Sequence, residues 1–460
     1  MSTYDVKVWD PRKIGDTAKG RWRVRWLVAG REHCKSFAAR PLADGFTADL
    51  KAAISDHVPF DENTGLPARP GAAATTAAPR SWYDHARGYA EMKWPHLAAT
   101  SRRSAAEALT TVTIALTTRR RGAPGPAIVR RALFAWAFNP GTRNLTPPAD
   151  IAAALDWVAA ASLPVAALDD PAILRGVLGA CARTQAGQPA AATTQRRKRA
   201  VFYNAIGYAV EQGLLAANPV DRLQWKASGV AETVDRRVVA SPPQARALLA
   251  AVRAQGRRGE HLEAFYGCLY YAAMRPSEAV ALREADCHLP SRGWGRIDLT
   301  ASEPRAGRAW TNDGTAHQAR GLKHRAQREM RSVPIPPALV TLLRAHLKTH
   351  GTTPDGRLFR TARGRPLQDS ATSAVWQAAR TAAFTSAQQA SPLARRPYDL
   401  RHAAVSLWLN SGVPATEVAR RAGHSVAVLL KVYAHCIDGQ DTTVNKRIAD
   451  ALGGEDDAGS

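Results

Sequence analysis

The sequence predicts a multidomain, mainly α-helical protein with small β-sheets, and three observations lead there. Its 460 residues exceed what one ordinary core organises, which points to about two to four domains. Apolar residues recur at helical spacing through most of the chain beyond residue 81, whereas strand-type alternation is confined to a short N-terminal stretch and to brief runs after residue 290. No fixed-period repeat is visible, so a solenoid is set aside.

Residues 19–28 alternate as only a strand does. Lys19, Arg21, Arg23 and Arg25 fall on one face, and Trp22, Val24 and Trp26 on the other. With Tyr4–Trp9 before it, and Cys34–Phe37 after the turn Ala29-Gly30-Arg31, this reads as a three-stranded sheet followed by a helix over 41–54, together a domain over 1–56. A basic strand face suits a major groove and its phosphates as well as it suits plain solvent. Residues 57–80, rich in proline and alanine, read as a linker.

A helical domain spans 81–225. One helix opens near Ser101-Arg102-Arg103-Ser104 and carries Leu109, Val112 and Leu116 on a face; another follows Thr194 and carries Phe202, Ile206 and Val210. The clusters Arg102, Arg103 and Arg196, Arg197, Lys198, Arg199 sit near the starts of these helices, where the helix dipole adds to their attraction for phosphate. A second linker covers 226–240. The third domain, 241–440, begins with helices over 243–254 and 261–273. It continues with strands near 295–299 and 332–335, and helices after Pro337, Gln368, Asp399 and Pro414. Residues 441–460 form a tail whose Val444, Ile448 and Leu452 share a helical stripe that packs on its own domain or on a neighbouring protomer.

Lys plus Arg number 63 against 39 Asp plus Glu, a net charge of +24. That excess favours a polyanionic partner, nucleic acid first. Five scattered cysteines without a Cys-x-x-Cys pair suggest neither a disulfide framework nor a zinc site. The opening residues lack an apolar signal core and no long apolar run follows, so the chain reads as a cytoplasmic protein with no membrane partner.

The chemistry-bearing residues lie in the third domain. Arg275 ends an apolar helix and is followed by Pro276-Ser277-Glu278, with the carboxylate three residues away and able to orient the guanidinium. Arg401 stands in Tyr398-Asp-Leu-Arg401-His402, a second planar fork for the same anion. His424 follows Gly423, whose missing side chain permits close backbone approach, and precedes Tyr433 by nine residues. Two guanidinium groups, an imidazole and a phenol make a set suited to attack of tyrosine on a phosphodiester, because a phenol needs fixed positive charge around the phosphate.

These segments resemble the tyrosine recombinases, or phage-type integrases. Arg275-Pro-Ser-Glu278 is similar to the family's first arginine box. Tyr398-Asp-Leu-Arg401-His402 is similar to its His-x-x-Arg box, Ala422-Gly423-His424-Ser425 to its Leu-Gly-His-Ser segment, and Val432-Tyr433-Ala434-His435 to its tyrosine box. Lys323, ahead of Arg331-Ser-Val-Pro-Ile335, matches the lysine the family carries on a β-hairpin. One departure stands out: Tyr398 occupies the usual histidine position, keeping a hydrogen-bond donor but not the proton affinity of imidazole. His402, adjacent to Arg401, reads as a structural residue or as one that supports the site residues from behind, and not as the missing base.

The resemblance implies an N-terminal arm-type DNA-binding domain, a helical SAM-like core-binding domain and an α+β catalytic domain. It implies that Tyr433 attacks the scissile phosphate to form a 3′-phosphotyrosyl bond, with Lys323 protonating the leaving 5′-oxygen, Arg275 and Arg401 holding the non-bridging oxygens, His424 donating to one of them and Tyr398 at the site. No metal or other cofactor is implied. The implied partners are double-stranded attachment sites and three further copies in a nucleoid-associated tetramer, with a directionality factor or a host DNA-bending protein as candidates beyond them. The arm-like sheet favours an integrase of a phage or integrative element. The alternatives are a type IB topoisomerase and a catalytically silent DNA-binding regulator on the same fold.

Overall fold

Alternation of arginine with tryptophan and valine organises the first of two units, Met1–Arg80 and Ser81–Ser460, into which the chain divides. The structure is a computed structural model that describes residues 2–14, 21–67, 80–118, 121–142, 144–225, 233–322 and 330–433, with 436, 445, 448 and 450 beyond them.

In the first unit Arg21–Val28 is the central strand, antiparallel to Val6–Val8 and Arg12–Ile14 along one edge and to Arg31–Phe37 along the other. The sheet therefore has four strands where the sequence predicts three. The reason lies at Asp10-Pro11: proline has no N–H for the ladder, so the leading strand breaks into two pieces. The two faces are as expected. Val24, Trp26 and Val28 are buried with Ala43 and Leu50 of helix Arg40–Ser55, each large side chain contributing about 2 kcal/mol. Arg21 and Arg23 stand in solvent, while Arg25 pairs with Glu32 at 3.3 Å and lies over the Trp9 ring. Lys19 is outside the described residues.

The predicted linker starts too early. Phe60 is buried in this sheet's core, Phe60–Asp61 pairs with Ser2–Thr3, and the Asp61 side chain caps the turn by accepting from the amides of Asn63 and Thr64. An aromatic side chain followed by a turn-forming aspartate anchors the segment despite the prolines around it.

The second unit holds a helical half and the half that the sequence reading expects to be catalytic. Helices Trp82–Lys93, Ala99–Ala115, Pro126–Ala132, Ala149–Ala161, Pro171–Cys181 and Ala192–Glu211 enclose Trp82, Leu109, Val112, Phe202 and Ile206, matching the predicted apolar faces. The boundary at 240 is not a clean one. Ala306 and Trp310, from the catalytic half, enter the helical core, and Asn139 donates to the Ala309 carbonyl at 3.0 Å. Residues 226–232 of the second linker are outside the described residues. Its remainder is anchored, with Arg236–Val238 in a short 3-10 turn and the Val234 amide donating to the Val432 carbonyl at 2.7 Å.

In the catalytic half, Pro242–Arg253 opens with a capping box between Ser241 and Gln244, and Gly256–Tyr271 runs beside it. A small antiparallel sheet of Cys287–His288, Gly295–Leu299 and Arg331–Ile335 follows. Helices Pro337–His350, Asp369–Ala383, Asp399–Asn410, Ala415–Ala422 and Val426–Tyr433 complete it, beginning within a residue of where the sequence places the first four. Of the predicted tail stripe, Ile448 is helical and exposed, while Val444 and Leu452 lie outside the described residues. Among the described residues, no helix is long and apolar enough to cross a membrane.

Candidate active site

Arg275 sits at the start of helix Pro276–Ala281, where Pro276 ends the preceding run and fixes the turn. Glu278 reaches back to accept the Arg275 amide at 2.9 Å and its Nη1 at 2.8 Å. The same carboxylate accepts both terminal nitrogens of Arg331, at 3.0 and 2.6 Å. Glu278 and Arg331 are almost fully buried. Burial opposes the charge of Glu278, but Arg331, then Arg401 and Arg275, hold its carboxyl down at about 2. One anion thus fixes two guanidinium groups, Arg331 by a fork-to-fork pair and Arg275 through Nη1 alone. Arg331 escapes a sequence reading because its partner lies 53 positions away.

Gly423 closes helix Ala415–Ala422 in the left-handed region, with φ +65°. A Cβ there would fall 2.3 Å from Arg331 Nη1, so glycine is required twice, for the turn and for the arginine packed on it. Its carbonyl accepts Arg275 Nη2 at 3.0 Å. The close approach read from the sequence is therefore made by Arg331.

Arg401, in helix Asp399–Asn410, is fully buried. It donates to the carbonyls of Ala273 and Ala422 and, at 2.8 Å, to Nε2 of His424. A guanidinium only donates, so His424 Nε2 is an acceptor and the neutral ring carries its proton on Nδ1. Among the described residues, that buried Nδ1 has no partner, and neither do Nε of Arg401 and of Arg331. Burial, then Arg401 and Arg275, depresses His424 to about 3, so the ring is neutral at physiological pH. A buried N–H with no acceptor is costly unless a ligand supplies one. An anionic oxygen beside Arg401 would do so.

Tyr433 ends helix Val426–Tyr433 and is 1 % exposed. Burial raises its phenol well above the ordinary value, against the pull of Arg401. Its hydroxyl lies 2.9 Å from Nδ1 of His402, and its ring is stacked 6.2 Å from that of His424. Of the two roles the sequence leaves open for His402, the contact with the phenolic oxygen favours support of the site residues. Burial, then Arg401 and Arg396, lowers His402 to about 4, leaving a lone pair available to the hydroxyl at neutral pH. Adjacency to Arg401 gave no cue, because the 31-residue separation from Tyr433 is bridged only by the folding of two helices.

Tyr398 precedes helix Asp399–Asn410 and sets its ring edge-on to His402, 5.1 Å away. With Arg275, Arg305, His317 and Arg396 it lines a cleft of about 500 Å³. The structure brings Arg275, Arg401, His424, Tyr398 and Tyr433 together. Lys323 lies outside the described residues.

The expected basic clusters divide. Arg102 is buried, donating to the carbonyls of Trp94 and Trp310 and to Asn312 Oδ1, with its guanidinium 4.4 Å from the Trp94 ring centre. Lys198 is buried against Glu107 at 3.0 Å. Both expectations of a phosphate contact meet side chains already committed to the protein interior. Arg103 and Arg196 are exposed, Arg199 is half-buried, and Arg197 bonds Ser104 and Glu107 while remaining exposed. A groove of about 1500 Å³ is lined by Arg103, Arg130, Arg131, Arg197 and Arg305. Arg305 lines both groove and cleft, a continuity that no local sequence signal carried.

Comparison with known proteins bears on the same region. Residues 240–439 match the model of the phage integrase family. No curated protein matches the sequence. Among solved structures, the chain is similar to the Tn1549 transposon integrase in complex with transposon right end DNA, at 16% identity over 71% of this chain and 99% of that one, with a TM-score of 0.46. It is also similar to the XerH site-specific recombinase bound to palindromic difH substrate (11%, 82% and 97%, TM-score 0.47) and to a lambda integrase dimer bound to a core site (14%, 57% and 77%, TM-score 0.36).

Proposed function

We propose, on the match of residues 240–439 to the phage integrase family model, that the chain is a site-specific DNA recombinase whose nucleophile is Tyr433. The observation that carries this reading is the convergence of Arg275, Arg401 and the unpartnered His424 N–H beside one buried phenol. Tyr433 Oη bonds to phosphorus and the bond to the 5′-oxygen breaks, leaving a 3′-phosphotyrosyl link and a 5′-hydroxyl. Lys323 gives the leaving oxygen its proton. Arg275 and Arg401 hold the non-bridging oxygens and His424 Nδ1–H donates to one of them as charge builds. His402 Nδ1 receives the hydrogen bond of the phenol, orients it for attack and takes its proton as Oη bonds to phosphorus. Attack by a 5′-hydroxyl of a second duplex reverses the step without ATP, because the phosphodiester energy is kept in the tyrosyl ester.

Burial of Tyr433 means that the Val426–Tyr433 helix has to shift when the phosphate arrives. The arginine-lined groove of the second unit tracks the duplex backbone toward the cleft through Arg305. Arg103 and Arg197 serve as phosphate contacts there, Arg196 and Arg199 add contacts from the same helix outside the groove, and Lys19, Arg21, Arg23 and Arg25 engage a separate arm site. Two attachment sites joined by four copies, in the cytoplasm on nucleoid DNA, complete the reading.

The test is covalent capture on a nicked crossover-site duplex. Tyr433→Phe is expected to keep duplex binding and lose the adduct, and peptide mapping of the wild-type adduct is expected to end on Tyr433. An adduct that survives in Tyr433→Phe removes the phenol from its role.

A further inference from the structure

The catalytic half carries a second cluster of titratable side chains that strand exchange does not use. His261, in helix Gly256–Tyr271, faces His346 and His350, which lie one turn apart in helix Pro337–His350. The three ring centres are 4.8 to 5.0 Å from one another, and one nitrogen of each ring lies within 4.8 Å of one from each of the others. Three imidazoles meeting in a half-buried patch have no evident packing rationale, since aliphatic side chains would fill the same space without polar atoms to satisfy.

The protonation of the rings is fixed by their neighbours. His346 is 3 % exposed, and its Nε2 lies 3.2 Å from the carbonyl of Leu358. A carbonyl only accepts, so Nε2 carries the proton and Nδ1 presents a lone pair. That Nδ1 is buried and has no partner among the described residues. An imidazole whose outer N–H is tied to a backbone carbonyl while its other nitrogen is left bare is the arrangement seen in metal ligands. His261 Nε2 accepts the Arg360 amide at 3.2 Å, a long bond that has to give way for this lone pair to turn to a metal ion. The charges facing the trio are Arg257 and Arg360, which oppose a cation, and Glu260, which favours one at His350.

We propose that His261, His346 and His350 bind a divalent transition-metal ion of the zinc class. An all-imidazole donor set selects Zn²⁺, Co²⁺, Ni²⁺ or Cu²⁺ over the oxygen-seeking Mg²⁺ and Ca²⁺. Zinc–nitrogen bonds of about 2.0–2.1 Å place tetrahedral ligands roughly 3.4 Å apart, so closing the trio takes side-chain rotation of about 1.5 Å or less. The fourth position is left to water or to Glu260. The ion ties helix Gly256–Tyr271, whose far end leads to Arg275, to helix Pro337–His350 and to the segment Leu358–Arg360. Its role is to brace the catalytic half, and it takes no part in the attack of Tyr433.

The experiment strips the full chain with a chelator and titrates it with Co²⁺ and, separately, Zn²⁺. One equivalent is expected to bind, with the visible absorption of four-coordinate Co²⁺ bearing nitrogen ligands and a rise in Tm. His350→Ala and His261→Ala are each expected to weaken binding by at least about 100-fold, the upper end of what losing only an outer-shell partner costs. Both are expected to retain DNA cleavage when metal-free. Circular dichroism melting of the metal-free variants separates a lost ligand from a lost fold. Absence of Co²⁺ absorption in the wild-type chain, or equal affinity in folded His350→Ala and His261→Ala, overturns the site.

Discussion

The basic strand of the first unit and the arginine cage of the second use the same residue in opposite ways. Arg21 and Arg23 project into solvent from a strand whose other face is buried. Arg331 and Arg401 are removed from water and held by Glu278, by backbone carbonyls and by His424. A solvated guanidinium moves freely and is screened by salt, so it attracts a polyanion without specifying where a phosphorus atom lies. A buried one is costly to desolvate but arrives with its orientation set, which is what stabilising a transition state demands. On the proposed function, position relative to water, and not residue type, separates binding charge from catalytic charge.

The contrast is broken most directly at Glu278. Replacing it with Gln leaves Arg331 buried without a counter-charge, and stability is expected to fall by about 3–5 kcal/mol, read as the shift of the urea midpoint. An unchanged midpoint would place the cage among surface ion pairs. Next in size is Arg401→Lys, which keeps the charge but loses the planar fork. Covalent capture on a nicked duplex is expected to drop by roughly 10²–10³, while duplex affinity stays within a factor of a few. Loss of affinity in parallel with cleavage would make Arg401 a binding charge like those of the strand.

His402→Gln is expected to slow cleavage by on the order of 10² at unaltered DNA affinity, provided the imidazole orients the phenol as the 2.9 Å contact indicates. Cleavage at the wild-type rate would return His402 to a packing role. Acidity sharpens the comparison further. His402 is depressed to about 4 and His424 to about 3 in the folded chain, whereas an unfolded imidazole titrates near 6.5. Below about pH 6.5 the unfolded chain therefore binds protons that the folded chain refuses, and stability falls as pH drops toward 4. Thermal melts across that range should lose this slope in part in His402→Gln. Arg21→Ala and Arg23→Ala bring the smallest effects, with stability expected within about 0.5 kcal/mol of wild type. The magnitude of the salt slope of DNA binding is expected to shrink by about one per charge removed, measured by titration at several ionic strengths.

Much of the architecture was legible in the chain itself. Alternation at residues 21–28 specified a strand with one basic and one buried face because the side-chain period of a strand is two, and helix starts after Pro337, Gln368 and Asp399 followed from local capping and proline rules. The motif residues Arg275, Arg401, His424 and Tyr433 were identifiable because their chemistry is rare in combination. Tertiary structure alone decided that Arg331 completes the Glu278 clamp, that His402 meets Tyr433, that Arg102 and Lys198 turn inward, and that His261 joins His346 and His350. Each of these pairings spans from 31 to 208 residues or depends on which side of a helix packs. Local propensity sets backbone conformation over a few residues, but which side chains share a desolvated space is settled only when the helices close on one another.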